Sequence, residues 1–312
     1  NSVVWYTGTP SSGYPLSGYS AFTRANKTRL PMIYVGGNDG MLHGFSAADG
    51  TEKIAYVPRG VIPSLTRLSD PSYNNKHRFF VDGSPMTGDV DMGVGVQDPN
   101  DPGYSASYTS DWRTLLVGTL GAGGKGYFVL DVTNPDNTSK PGVFAEANAQ
   151  SLVVLDRTRS TEGNMPAPIC ATMTGATRTA CEQASQIPPN CAATGLPGAQ
   201  KAACLITETE DKDIGNITAR PVLDETNAMR TTQITRMNNN RWAVVMGNGY
   251  NSTNQRPVLL IQYLDGNKEL VRVQATSDVT GTGNANDNGL MAPRLVDING
   301  DERPDVAYAG DN

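Results

Sequence analysis

Short apolar runs punctuated by Gly, Asn and Asp fill this chain, and period-two alternation is commoner than the three-to-four spacing of an amphipathic helix. The stretch "MIYVGGNDGMLHGFSAADG" (32–50) reads as strand, glycine-rich turn, strand and then an Asp-Gly turn. The same plan recurs in "TLLVGTLGAGGKGYFVLDVTNP" (114–135) and, with a longer turn, in "WAVVMGNGYNSTNQRPVLLIQYLDG" (242–266); "DVAYAGDN" (305–312) begins a fourth copy that breaks off. A second piece precedes three of the copies: "VDGSPMTGDVDM" (81–92), "NITARPVLDET" (216–226) and "GLMAPRLVDIN" (289–299), each with a proline leading into a short strand that ends at aspartate.

Joined together, the two pieces predict repeated four-stranded up-and-down sheets, which pack most economically as the blades of a β-propeller. A β-sandwich with hairpins of similar length is the competing arrangement. Glycine just after the second strand of every unit favours the propeller, where backbones crowd near an axis. Runs such as "RTLLVGTL", "RWAVVMGNG" and "PVLLIQYL" are apolar on both faces, as blades stacked against one another require. Only "GAQKAACLITETEDK" (198–212) has a helix-like pattern. The expected fold is therefore all-β, a modified β-propeller with decorated loops, incomplete at its C-terminus. Residues 1–312 form a single domain in this reading.

Composition narrows the function classes. Among 312 residues, 33 glycines and 20 prolines fit many turns, and a hydrophobic share of 38% suffices for a core. No run approaches the roughly 20 apolar residues of a membrane helix. A net charge of −6 opposes a nucleic-acid surface, which needs clustered Lys and Arg. The opening "NSVVWYTGTPSSGYPLSGYS" lacks the basic and apolar regions of a secretory signal, and both ends read as cuts within a longer protein.

The four cysteines, Cys170, Cys181, Cys191 and Cys204, crowd into an Ala-, Thr- and Pro-rich insertion at about 157–212. They include no C-x-x-C pair and both histidines are remote, so zinc has little support. Two disulfides would staple such a segment, at roughly 2–4 kcal/mol each. Of the three connectivities, Cys170–Cys181 with Cys191–Cys204 closes the shortest loops, and the expectation is an oxidising compartment; free thiols in a cytosolic protein are the bland alternative.

One stretch carries candidate chemistry. In "VDINGDERPDVAYAG" (296–310), Asp297, Asn299, Asp301 and Asp305 offer side-chain oxygens at alternating positions, and Arg303 offers its carbonyl. Hard cations take six to eight oxygens, and a single loop supplies them with this alternation. Mutual repulsion among three aspartates needs a counter-charge, and nearly all-protein ligation favours Ca²⁺ over Mg²⁺. The loop departs from an EF-hand: glycine stands at the fourth position (Gly300) and Tyr308 where the twelfth-position Glu would be. A solvated Asx-turn is the plainer alternative.

Elsewhere the Asp82-Gly83 pair reads as a turn, and Asp89 and Asp91 carry no strong ligand signal. "GGNDG" (36–40) reads as a hairpin turn and "LGAGGKG" (120–126) lacks a P-loop's Lys-Ser/Thr. His43 reads as a packed or inter-blade side chain, and Trp5, Trp112 and Trp242 as core. No G-x-S-x-G and no Cys–His arrangement argues for an enzyme.

From "NKTRLPMIYVGGNDGMLHGFSAADGTEKIAYVPRGV" through "FVDGSPMTGDV", "WRTLLVGTLGAGGKGYFVLDVTNP", "DIGNITARPVL" and "RWAVVMGNGYNS" to "PRLVDINGDERPDVAYAGD", the ordered motifs resemble the C-terminal domain of the PilY/PilC family of type IV pilus biogenesis factors and tip adhesins. The resemblance implies a quinoprotein-like propeller with one Ca²⁺ held by Asp297, Asn299, Asp301, Asp305 and the Arg303 carbonyl. It further implies export to the periplasm, outer surface or pilus tip (fimbrium), and support of pilus extension and twitching motility, with Ca²⁺ occupancy opposing retraction. Attachment to host or abiotic surfaces, a part in virulence, and minor pilins as partners complete the expectation. The strand-turn-strand unit also looks like that of pyrroloquinoline-quinone dehydrogenases, though the vicinal cysteines of those enzymes are absent. A passive scaffold with a structural calcium is the third reading.

Overall fold

The computed structural model describes residues 1–93, 108–136, 143–159, 174–175, 198–275 and 289–310. Its strands fall in chain order into three four-stranded antiparallel sheets and the start of a fourth. The first holds β1 (Trp5–Thr7), β2 (Met32–Gly36), β3 (Leu42–Ser46) and β4 (Glu52–Tyr56). The second holds β5 (Met86–Asp91), β6 (Trp112–Thr119), β7 (Tyr127–Asp131) and β8 (Val153–Asp156). In the third are β9 (Ile234–Arg236), β10 (Trp242–Gly247), β11 (Val258–Tyr263) and β12 (Leu270–Gln274). Last come β13 (Arg294–Val296) and β14 (Val306–Tyr308), paired as a hairpin. Sequence neighbours are sheet neighbours throughout, so each unit is the meander that the repeats predict. Among the described residues the sheets do not close a ring, and the architecture is that of an incomplete propeller.

The core lies between blades. On β6, Leu115 and Val117 join Trp5, Met86, Ile234, Trp242 and Met246 in one cluster, while Leu116 joins Met32, Tyr34, Leu42 and Phe128 in another. Adjacent side chains on one strand thus enter opposite cores, which explains the unbroken apolar run. Trp112 and Trp242 begin equivalent strands, and their rings meet edge to face at 5.5 Å with Tyr14 packed on both. Each such burial contributes about 1.5–3 kcal/mol. The outer strands β4 and β12 are half-exposed, as blade rims must be.

Glycine at the end of the second strand has the steric reason expected of it. A Cβ on Gly36 would stand 2.3 Å from the Val81 carbonyl oxygen, and one on Gly247 would stand 2.1 Å from that of Met291. Each glycine lets its blade press against the segment that leads to the next.

Helices contribute more than the pattern predicts. Besides α1 (Tyr19–Ala25), which buries Tyr19 and Phe22, there is a short α2 (Ala149–Leu152). Both are too brief for periodicity to register; tertiary contact with the inter-blade core holds α1. The expected helix forms as α3 (Gly198–Asp211). Arg157, just after β8, donates to Glu210 at 2.7 Å, and Arg159 pairs with Asp211. Asp213, 1% exposed, accepts from Arg256 at 2.8 and 2.9 Å and from Arg272 at 2.6 Å. The acidic end of α3 is therefore clamped between the second and third blades. Cys204 lies on α3; Cys170, Cys181 and Cys191, and with them the expected disulfide pairings, fall outside the described residues.

Candidate metal-binding loop

The β13–β14 ladder pairs Arg294 with Tyr308, Leu295 with Ala307 and Val296 with Val306. That register places Asp297 and Asp305 at the two feet of the connecting loop, where the Asp305 N–H donates to the Val296 carbonyl at 2.9 Å. Leu295 and Val296, on opposite faces of β13, are both half-buried, and the loop from Asp297 to Glu302 stands in solvent. The chain turns through positive φ at Gly300 (77°) and Glu302 (65°). The glycine meets no steric penalty there, and the strained Glu302 is held by the contacts its neighbours make.

Those contacts come from the candidate ligands themselves. Asp297 Oδ1 accepts the Gly300 N–H at 2.7 Å and the Asp301 N–H at 3.3 Å, and its Oδ2 accepts the Glu302 N–H at 2.7 Å. Asn299 Oδ1 accepts from Asp301 at 2.9 Å, Asp301 Oδ1 from Arg303 at 3.0 Å, and Asp305 Oδ2 from Ile298 at 2.8 Å. Desolvation raises the Asp297 carboxyl, but the backbone N–H groups of Gly300, Glu302 and Asp301 outweigh it and hold the group below its ordinary value. At neutral pH it is a carboxylate.

The donor set fits a hard cation by its chemistry. Three carboxylates, one amide oxygen and one carbonyl are all oxygen ligands, and an ionised carboxylate offers about four lone-pair sites. Asp301 and Asp305 each use one of these on the loop's own N–H groups, so acceptor capacity remains. Convergence is a separate matter: among the described residues, no group of three or more His, Cys, Asp or Glu side chains is placed to hold a metal ion. The five candidate ligands share one short loop.

Other singled-out residues take structural places. Asp89 and Asp91 lie on β5, and buried Asp89 accepts from Tyr19 Oη, Ser12 Oγ and Thr114 Oγ1 at 2.7–3.1 Å. Asp82 is buried beside the Asn1 amine at 3.0 Å. His77 packs between the rings of Tyr73 and Phe79. His43 bridges two carboxylates, a contact that the local sequence does not announce because Glu52 is on the neighbouring strand. Asp213 is likewise a hub that no motif marks.

Comparison with known proteins gives a consistent result. The family profile described as the PilY1 beta-propeller domain matches residues 5–148 and 192–312; the interval between them contains Cys170, Cys181 and Cys191. The type IV pilus biogenesis factor PilY1 of Pseudomonas aeruginosa PAO1 is 32% identical over 298 residues, covering 95% of this chain and 18% of that protein. A PilY1 homolog of Xylella fastidiosa Temecula1 is 28% identical over 98% of this chain and 15% of its own length. The chain therefore spans under a fifth of the curated relatives it matches. The crystal structure of the P. aeruginosa PilY1 C-terminal domain superposes with a TM-score of 0.53 at 28% identity, over 98% of this chain and 43% of that one.

Proposed function

This chain belongs to the PilY1 β-propeller family, and on that premise we propose that it serves in type IV pilus biogenesis through a calcium-responsive hairpin. The observation that carries the role is similarity over 95% of the chain to a protein named as a type IV pilus biogenesis factor. Matches of that kind, named for pilus assembly and not for a reaction, support a non-enzymatic role. In the proposal Asp297, Asn299, Asp301 and Asp305 hold Ca²⁺ together with the Arg303 carbonyl. When bound, the ion supplies the positive charge that three neighbouring carboxylates lack. The residues do the rest: Asp297 and Asp305 stand at the feet of β13 and β14, so drawing them together fixes the end of the last hairpin.

The same reading takes the protein to be exported, with minor pilins and a surface ligand as partners, and takes the loaded hairpin to favour extension over retraction. No helix among the described residues is long and apolar enough to cross a membrane. Calorimetric titration of this chain with Ca²⁺ should give one site, lost in Asp305→Ala. The full-length protein carrying Asp305→Ala should leave its strain with fewer surface pili. A flat titration of the unaltered chain removes the calcium part of the proposal.

A second reading rests on the hydrogen bonds inside the loop. Its side-chain oxygens bind its own backbone, so the turn has internal support, and under this reading calcium would only stiffen one hairpin. Under that reading, removing Ca²⁺ lowers the melting temperature while pilus number stays unchanged.

A further inference from the structure

A histidine sits between two carboxylates on the face of the first blade opposite the second. Alternation on β3 sends Leu42, Gly44 and Ser46 into the buried side, and leaves His43 and Phe45 on the other. The His43 Nδ1 lies 2.5 Å from Glu52 Oε1, and its Nε2 lies 2.8 Å from Asp39 Oδ2. An ionised carboxylate only accepts, so both contacts are hydrogen bonds only when both ring nitrogens carry a proton, which is the imidazolium. Neutral imidazole has one N–H. It must leave one carboxylate facing a lone pair, and that contact opens.

The three residues come from three pieces of one blade. Asp39 belongs to the β2–β3 turn and uses its Oδ1 to accept the Met41 N–H at 3.2 Å. His43 is on β3, with its ring parallel to that of Phe45 at 5.8 Å. Glu52 begins β4, the outermost strand. Between β3 and β4 the register breaks at Gly44/Phe45, and Glu52 sits just beyond the break, opposite Phe45. The His43–Glu52 contact straddles that irregularity, where the ladder itself is interrupted. Close approach at the other end depends on Gly37: a Cβ there would stand 2.5 Å from Asp39 Oδ1 and 3.2 Å from His43 Nε2.

We propose that Asp39, His43 and Glu52 form a proton-operated clasp that fastens the β2–β3 turn and the rim strand β4 to the centre of the first blade. The charged groups acting on His43 are these two carboxylates, one on the turn and one on β4. Desolvation lowers the proton affinity of the ring, but the Glu52 hydrogen bond and the Asp39 charge outweigh it and hold the group above its ordinary 6.5. With the folded value raised, the clasp is fully closed below the ordinary value and releases as pH rises through the folded one. β4 pairs only with β3, so the clasp acts where a single ladder holds the rim.

The chain has only two histidines, which makes the test clean. In His77→Gln, proton NMR follows the single remaining imidazole. Its midpoint should lie above 6.5, and should move down in Asp39→Asn and in Glu52→Gln. Hydrogen-exchange protection of the Met41 and β4 amides should fall roughly two- to five-fold on passing that midpoint, the scale of an exposed ion pair. In the doubly substituted His43→Gln, His77→Gln chain the step should vanish. A midpoint at or below 6.5, or β4 protection that steps with pH equally well without His43, overturns the proposal.

Discussion

Asp297 shapes its turn and, in the proposed site, would also hold the cation, and different substitutions separate the two. Its carboxylate accepts three backbone N–H groups, so it shapes the turn whether or not a cation is present. Because its folded value is depressed, the stability it lends is present above the ordinary carboxylate value and is lost as pH falls through the lower folded one. Loop amides of Gly300 and Glu302 should accordingly shift in NMR spectra only once pH falls below the ordinary carboxylate value, with no matching change in the blade cores. Asp305 invites a finer cut. Asp305→Asn keeps an oxygen for the Ile298 N–H but gives up the charge, so the hairpin should persist while calcium binds at least about tenfold more weakly in calorimetry. Unchanged affinity in that variant would show that the charge of Asp305 is not a ligand's.

At the scale of elements, strands are held by what lies between blades. Trp112 opens β6 and meets Trp242, Tyr14 and Tyr19 in the largest cluster. Urea denaturation of Trp112→Ala should show a loss of about 3–5 kcal/mol, the cost of emptying an aromatic core site. Helix α3 is held by charge instead. Removing the buried Asp213 carboxylate leaves Arg256 and Arg272 without their common partner, and because both arginines reach solvent the loss is that of charge-assisted hydrogen bonds, about 1–3 kcal/mol. Asp213→Ala should also free the end of α3, visible as faster exchange of its last-turn amides. The strands were legible from alternation and from runs apolar on both faces. The α1 segment was not, because seven residues give too little periodicity and its place is set by Tyr19 and Phe22 entering the core.

For the whole molecule, the two buried clusters contain residues of the first three blades plus α1, and none from the 297–305 loop. Calcium is therefore expected to act locally. A chelator should leave the far-ultraviolet strand signal intact and speed exchange only around 294–308. Saturating Ca²⁺ should raise the melting temperature by mass action alone, worth about 2.7 kcal/mol at a hundred times Kd in the hairpin's own unfolding. General loss of structure on chelation would contradict the separation of loop and core.

The repeat of apolar runs determined the meander and the blade, because side-chain alternation along a strand depends only on the next residue. The oxygen-rich spacing at 297–305 was also readable, since its members are neighbours in the chain. Which face of each strand met which partner was decided only in three dimensions. His43 found Glu52 across a ladder, Asp213 gathered Arg256 from the turn before β11 and Arg272 from β12, and Leu115 and Leu116 parted into separate cores. Such pairings join residues distant in sequence, and their energies depend on burial and geometry that only the packed blades supply.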